Sequence, residues 1–190
     1  ESHAGGGKSN PVEAALAARL VAAVLEAGDV SPSNVAVLTP YSSQVDLVRR
    51  EGTACRVSTV DSFQGQETDL VVFSATRSNA FGDMGFLRDP RRLCVAITRA
   101  RRGLILVGDA HTLRSSHHWR ALLESCEARG CLVDAEALYG DLRLRKEELE
   151  RQIDAASGAG EYGRANLLLE EQRQVEDQLQ VSVADLDPDK

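Results

Sequence analysis

Six arginines, Arg88, Arg91, Arg92, Arg99, Arg101 and Arg102, fall within a fifteen-residue stretch that holds a single carboxylate, Asp89. So dense a cationic run calls for phosphate or carboxylate partners. Two other segments carry groups that suit the same kind of ligand: Thr39-Pro40-Tyr41-Ser42-Ser43-Gln44, and Val60-Asp61-Ser62-Phe63-Gln64-Gly65-Gln66-Glu67. A ring to stack on, a glycine that lets the backbone come close, an amide and a carboxylate for ribose or water, and arginines for phosphates together describe a nucleotide site. Each segment follows an apolar run that reads as a strand, and in an open parallel sheet ligands bind beyond the carboxyl ends of the strands.

Other chemistry is weaker on inspection. Gly5-Gly6-Gly7-Lys8-Ser9 ends like a phosphate loop, but that pattern needs a glycine five positions before Gly7, where Ser2 stands, and a hydrophobic strand in front. It reads as a flexible loop. His111, His117 and His118 lack a second group of ligands at metal spacing, so no metal site is expected. Cys55, Cys94, Cys126 and Cys131 include no CxxC pair and read as reduced, buried thiols.

The elements that would position these groups alternate. A patternless leader covers residues 1–10. Apolar positions from Val12 to Leu25, stopped by Gly28, predict a helix; Val35 to Leu38 a buried strand; Ser42 to Arg50 a second helix with Ser42 as its N-cap. Arg56 to Val60 and Leu70 to Ser74 are further strands, Pro90 to Arg101 a helix, Leu104 to Val107 a strand, and Thr112 to Glu127 a helix, with Cys131 to Val133 as a short last strand. Strands apolar throughout and alternating with helices predict an α/β domain over residues 11–135, a parallel sheet with helices on both faces. Beyond it, Leu142, Leu149, Ile153 and Ala156, then Tyr162, Ala165, Leu168, Leu169, Val175 and Leu179, form two stripes separated by Gly158-Ala159-Gly160, a helical hairpin or short coiled coil over 136–182, with a frayed acidic tail at 183–190.

The three polar segments carry a specific resemblance. With Asn10, Glu13 and Ala14 in the leader, the linking Gly85-Phe86-Leu87-Arg88-Asp89-Pro90 and the run from Arg91 to Arg101, the stretch from about Asn10 to Val133 resembles the second RecA-like domain of superfamily 1 helicases, in the branch typified by the nonsense-mediated mRNA decay helicase. Gln66 and Cys94 stand where close relatives often have Arg and Asn. The resemblance implies that Tyr41 lies near the base of ATP, that Gly65 and Glu67 border the ribose and terminal phosphate, and that Arg99 is the arginine finger. It places Thr59, Ser62 and Gln64 toward nucleic acid, with Arg77 as a further candidate. Each role has a structural competitor: Tyr41 as a core cap, Glu67 as partner of a surface arginine, Arg91 and Arg92 as anchors of their helix to acidic neighbours. Arg101 and Arg102 read as structural or solvated.

The same resemblance implies ATP with Mg2+ held mainly by a first RecA-like domain that these residues do not contain, weak binding of single-stranded RNA or DNA, and no hydrolysis by this chain alone. The different-class alternative is a non-catalytic RecA-like scaffold whose acidic hairpin docks a protein partner or a second copy.

Charge is divided between the two regions. The 190 residues carry a net charge of −7. Residues 134–190 hold 15 acidic and 7 basic side chains, whereas 1–133 hold 14 and 15, so the α/β body is nearly neutral and the hairpin region is the acidic part. Apolar runs such as Leu104 to Val107 are far shorter than the roughly 20 residues of a membrane span. With no signal-like stretch, an intracellular, cytoplasmic or nuclear protein is expected.

Overall fold

Val35, Val37 and Val72 point to one side of a sheet and Ala36, Leu38, Val71 and Phe73 to the other, and all are buried. Successive strand residues face opposite ways, so a run apolar at every position needs cover on both faces. The computed structural model describes residues 2–4 and 7–183. Its main sheet is β3 (Val35–Thr39), β4 (Arg56–Thr59), β5 (Thr68–Ser74) and β6 (Ala100–Val107), all parallel in the order β4-β3-β5-β6. The helices α1 (Pro11–Glu26) and α2 (Ser42–Arg50) cover one face through Ala14, Ala17, Val21, Val45 and Val48. The other face is covered by α3 (Pro90–Ile97), α4 (Ala110–Leu113) and α5 (His117–Ala128), through Leu93, Ala96, Leu113, Trp119 and Leu123. The expected α/β architecture is the observed one.

Two compact units result, residues 1–128 and 129–190. The second contains α6 (Ala135–Gly158) and α7 (Tyr162–Val183), with Leu149, Ala156, Ala165 and Val175 buried. Gly160, at φ +74°, makes the reversal between them, and the Glu161 N–H closes on the Ala156 carbonyl at 2.9 Å. Arg145 and Glu171 pair across the hairpin at 2.6 Å. The acidic tail, apart from Val183, lies outside the described residues, as do the side chains of Leu142 and Leu179.

Several local expectations are corrected. The leader is not loose throughout: β1 (Ser2–Ala4) pairs antiparallel with β2 (Gly7–Ser9), and Ser9 and Asn10 are buried. The partners of Lys8 and Asn10 are remote in sequence, which is why no local pattern shows them. The Gln44 side chain accepts from the Asn10 N–H at 2.7 Å and donates to the Asn10 carbonyl at 3.0 Å, while Ser43 Oγ donates to the Lys8 carbonyl at 2.6 Å. Tyr41, not Ser42, occupies the N-cap of α2. The third helix stops at Ile97, because Thr98 turns its hydroxyl back on the Cys94 carbonyl and Ala100 is already paired with Thr68 in the sheet. The stretch Thr112 to Glu127 is divided between α4 and α5, and Cys131 to Val133 is exposed and outside the sheet. None of the four cysteines is fully buried; Cys94 and Cys131 are exposed.

Candidate functional site

The carboxyl end of β3 leads through Pro40 into Tyr41, whose ring is buried against Phe86 at a centroid distance of 5.4 Å. The Phe86 N–H donates to Tyr41 Oη at 3.3 Å, and Arg92 lies over the other aromatic, its guanidinium carbon 4.7 Å from the Phe86 centroid. Around this pair a cleft of about 620 Å³ is lined by Lys8, Ser42, Ser43, Arg77 and Gly85, among others. Gly85 has φ +49°, and a Cβ there would lie 2.7 Å from Tyr41 Oη, so only glycine lets the loop close on the ring.

Arg77 does not reach outward. It is 3% exposed, and its Nε and Nη2 donate to the Asp83 carbonyl and carboxylate at 2.9 and 2.7 Å. The Gly85 N–H and the Arg77 charge hold the Asp83 carboxyl below its ordinary value. Arg77 is thus the brace of the loop that carries Gly85 and Phe86.

A second cluster gathers around Arg99. Its Nε donates to the Val95 carbonyl, Nη1 to the Gln66 carbonyl and Nη2 to Thr98 Oγ1, each at 3.1 Å. All three acceptors are neutral. Three of the neighbouring arginines are paired with carboxylates, Arg91 with Asp89 at 3.0 Å, Arg92 with Asp61 at 3.4 Å, and Arg101 with Asp69 at 2.8 Å and Glu67 at 3.6 Å, while the Arg88 and Arg102 side chains are neither paired nor held by a hydrogen bond among the described residues. Arg99 therefore has a positioned guanidinium without a carboxylate counter-charge among the described residues. Beside it Gly65 takes φ +78° with nothing within 4 Å of its missing Cβ, leaving the backbone open to approach. The structural competitors proposed for Glu67, Arg91 and Arg92 correspond to ion pairs in the structure.

The two clusters sit at opposite ends of the sheet, contrary to the expectation that every segment caps a carboxyl end. Thr68 pairs with Ala100 at the amino ends of β5 and β6, and the Thr68 N–H donates to the Arg99 carbonyl at 3.0 Å. Tyr41 lies at the carboxyl edge. The segment after β4 starts at the carboxyl edge and runs back across the face alongside α3, joined to it by the Arg92–Asp61 and Arg99–Gln66 contacts. The helix α3, which carries Arg92 of the first cluster, runs toward the second and ends two residues before Arg99.

Thr59 and Ser62 remain at the carboxyl edge. Thr59 Oγ1 accepts the Ser62 N–H at 3.2 Å and donates to Ser62 Oγ at 2.8 Å, and Ser62 and Gln64 are exposed.

Beneath this edge lies a polar network of residues far apart in the sequence. Glu13 is buried; it accepts from Ser74 Oγ at 2.7 Å, from the Thr76 N–H at 2.7 Å and from Asn10 Nδ2 at 3.2 Å. Gln44 Nε2 donates to Ser74 Oγ, and Thr39 and Thr76 join hydroxyls at 2.9 Å. Burial without a cation partner among these contacts raises the Glu13 carboxyl to about 7, against the hydrogen bonds that favour the anion. One signal was legible: Asn10 followed by Glu13 is an N-cap pair at the start of α1, and Asn10 Oδ1 does accept the Glu13 N–H.

Residues 1–111 match the AAA domain family. The chain is 37% identical over 174 residues to the Regulator of nonsense transcripts 1 homolog of Arabidopsis thaliana, covering 83% of this chain and 14% of that protein. It is 39% identical over 135 residues to the DNA polymerase alpha-associated DNA helicase A of Schizosaccharomyces pombe, covering 68% and 20% respectively. Against the ATP-dependent helicase NAM7 of Saccharomyces cerevisiae it is 35% identical over 153 residues, 75% of this chain and 15% of that protein. The chain thus spans a fifth or less of the length of these relatives. With the parallel sheet and the motif segments in place, the chain belongs to the AAA domain family and is a superfamily 1 helicase domain of the nonsense-mediated decay branch.

Proposed function

We propose that this chain is the C-terminal half of an ATP-dependent RNA or DNA helicase motor, and that Arg99 is its arginine finger. The observation that carries the reading is how Arg99 is held: three neutral oxygens position its guanidinium and no carboxylate among the described residues competes for it, whereas Arg91, Arg92 and Arg101 are engaged by carboxylates. Tyr41 and Phe86 would hold the base, and Gly65 and Glu67 would border ribose and phosphate. Thr59, Ser62 and Gln64 would meet a single strand. Magnesium-ATP would supply the phosphoryl group and the charge that Arg99 stabilises, with the phosphate loop and metal carboxylates contributed by a first RecA-like domain. The setting is intracellular, cytoplasmic or nuclear.

The chain alone should hydrolyse no ATP above buffer. Joined to the phosphate-loop half of its motor, it should turn over ATP, and Arg99→Ala should reduce turnover by about 10³–10⁵. Turnover by the joined protein that survives Arg99→Ala within about tenfold defeats the finger assignment. A second reading, the RecA-like scaffold with a docking hairpin, is favoured by Tyr162 and Leu167, both exposed on α7. It would be preferred if the joined protein bound no nucleotide.

A further inference from the structure

Phe81 is 95% exposed, an aromatic ring with almost no protein contact. It stands on a loop that is anything but loose. The Asn79 side chain accepts from the Asp83 N–H at 2.8 Å and donates to the Asp83 carbonyl at 2.9 Å, closing the loop across its base. Thr112 Oγ1 accepts the Asn79 N–H at 2.9 Å, and Ser115 Oγ donates to the Gly82 carbonyl at 2.8 Å, which fastens the loop to α4 and the turn after it. Gly82 has φ +64°, and a Cβ there would lie 2.9 Å from that of Ser115. The ring therefore stands on a fixed backbone, and little backbone entropy remains to be lost when something covers it.

The loop rises at the carboxyl edge of the sheet. It follows β5, whose neighbour β3 ends in Pro40 and Tyr41, and β4 beyond that ends in Thr59 and Ser62. Within residues 1–128, the described large hydrophobic side chains that are exposed are Phe81 and Phe86, and the Phe86 face is taken by Arg92. A single bare ring without a surrounding apolar patch is unlike a protein-binding surface, which buries a contiguous core of apolar residues. It is what base stacking uses, since every base offers a π-face and a rigid aromatic receives it without regard to sequence.

We propose that Phe81 is a stacking platform for a base of single-stranded nucleic acid, presented from the loop after β5 at the same carboxyl edge of the sheet as Thr59 and Ser62. The inference rests on the nucleic-acid part of the proposed function and adds a residue and a mode of contact to it. Because the contact is uncharged, it contributes affinity and no salt dependence.

The test is fluorescence anisotropy of a fluorescein-labelled oligouridylate with the 190-residue chain over a series of salt concentrations. Phe81→Ala should weaken binding by on the order of tenfold, with the slope of log affinity against log salt unchanged. Phe81→Trp should restore binding and Phe81→Leu should not, and all three variants should melt with the wild-type chain. If wild type binds and Phe81→Ala binds within about twofold of it, the platform is wrong. Rescue by Leu equal to that by Trp rejects stacking, as does a lowered melting temperature for Phe81→Ala. A wild-type chain that binds no oligouridylate rejects the platform together with the nucleic-acid reading beneath it.

Discussion

Glu13 on the first helix accepts the backbone N–H of Thr76, 63 residues later, at 2.7 Å. Thr76 is the non-glycine residue with positive φ among the described residues, at 70°, a conformation that costs a β-branched side chain about 1–3 kcal/mol. The bond to Glu13 and the hydroxyl contact with Thr39 hold it there. Arg77 follows directly and turns into the loop that braces Gly85 and Phe86 against Tyr41. A buried carboxylate under the sheet edge is thus tied through one strained residue to the wall of the cleft.

That carboxylate makes stability depend on pH near neutrality. Its value is about 7 in the folded chain and 4.5 when exposed, so the folded state binds the extra proton between these limits. Stability from this group is therefore highest below about pH 4.5 and falls as pH rises to 7, by about 3 kcal/mol in all. Asp83, Asp89 and Asp109, whose carboxyls lie below their ordinary value, act in the opposite sense but only in more acidic solution. Melting temperature should thus rise from pH 8 to pH 5, and Glu13→Gln, which cannot ionise, should flatten the profile. A wild-type profile already flat over this range counts against the buried anion.

Two glycines separate strain from crowding. Gly65→Ala meets no atom and should cost only the left-handed backbone, about 1–2 kcal/mol. Gly85→Ala meets Tyr41 Oη and the Arg77 guanidinium as well, so denaturant midpoints should show a larger loss. It should also increase the quenching of tyrosine emission by added iodide, as the Tyr41 ring is displaced from Phe86. Equal losses in the two variants would mean that the loop yields at no cost.

In the second unit, Leu149 is fully buried between two helices that have few other such residues described. Leu149→Ala should destabilise the hairpin by about 2–5 kcal/mol, whereas Leu167→Ala, at a side chain 75% exposed, should change little. Far-ultraviolet circular dichroism on heating reads both, since α6 and α7 hold no tryptophan.

The alternation of the main-sheet strands with helices, the parallel sheet and the hairpin break at Gly158 to Gly160 were legible in the amino-acid sequence, because periodicity and glycine placement are local properties of the chain. So was Arg99 as a member of a cationic run, but not as the arginine that neutral oxygens hold in place. That distinction depends on Asp61 and Asp69, 31 and 32 residues away from the arginines they neutralise, and on the carbonyl of Gln66. Likewise the leader reads as patternless until Gln44 supplies its hydrogen bonds, and Glu13 reads as one polar position on an apolar helix until Ser74 and Thr76 close over it. Composition and spacing determined which groups this chain possesses; tertiary structure decided which charges cancel and which remain, because screening, burial and pairing are set by neighbours in space rather than in sequence.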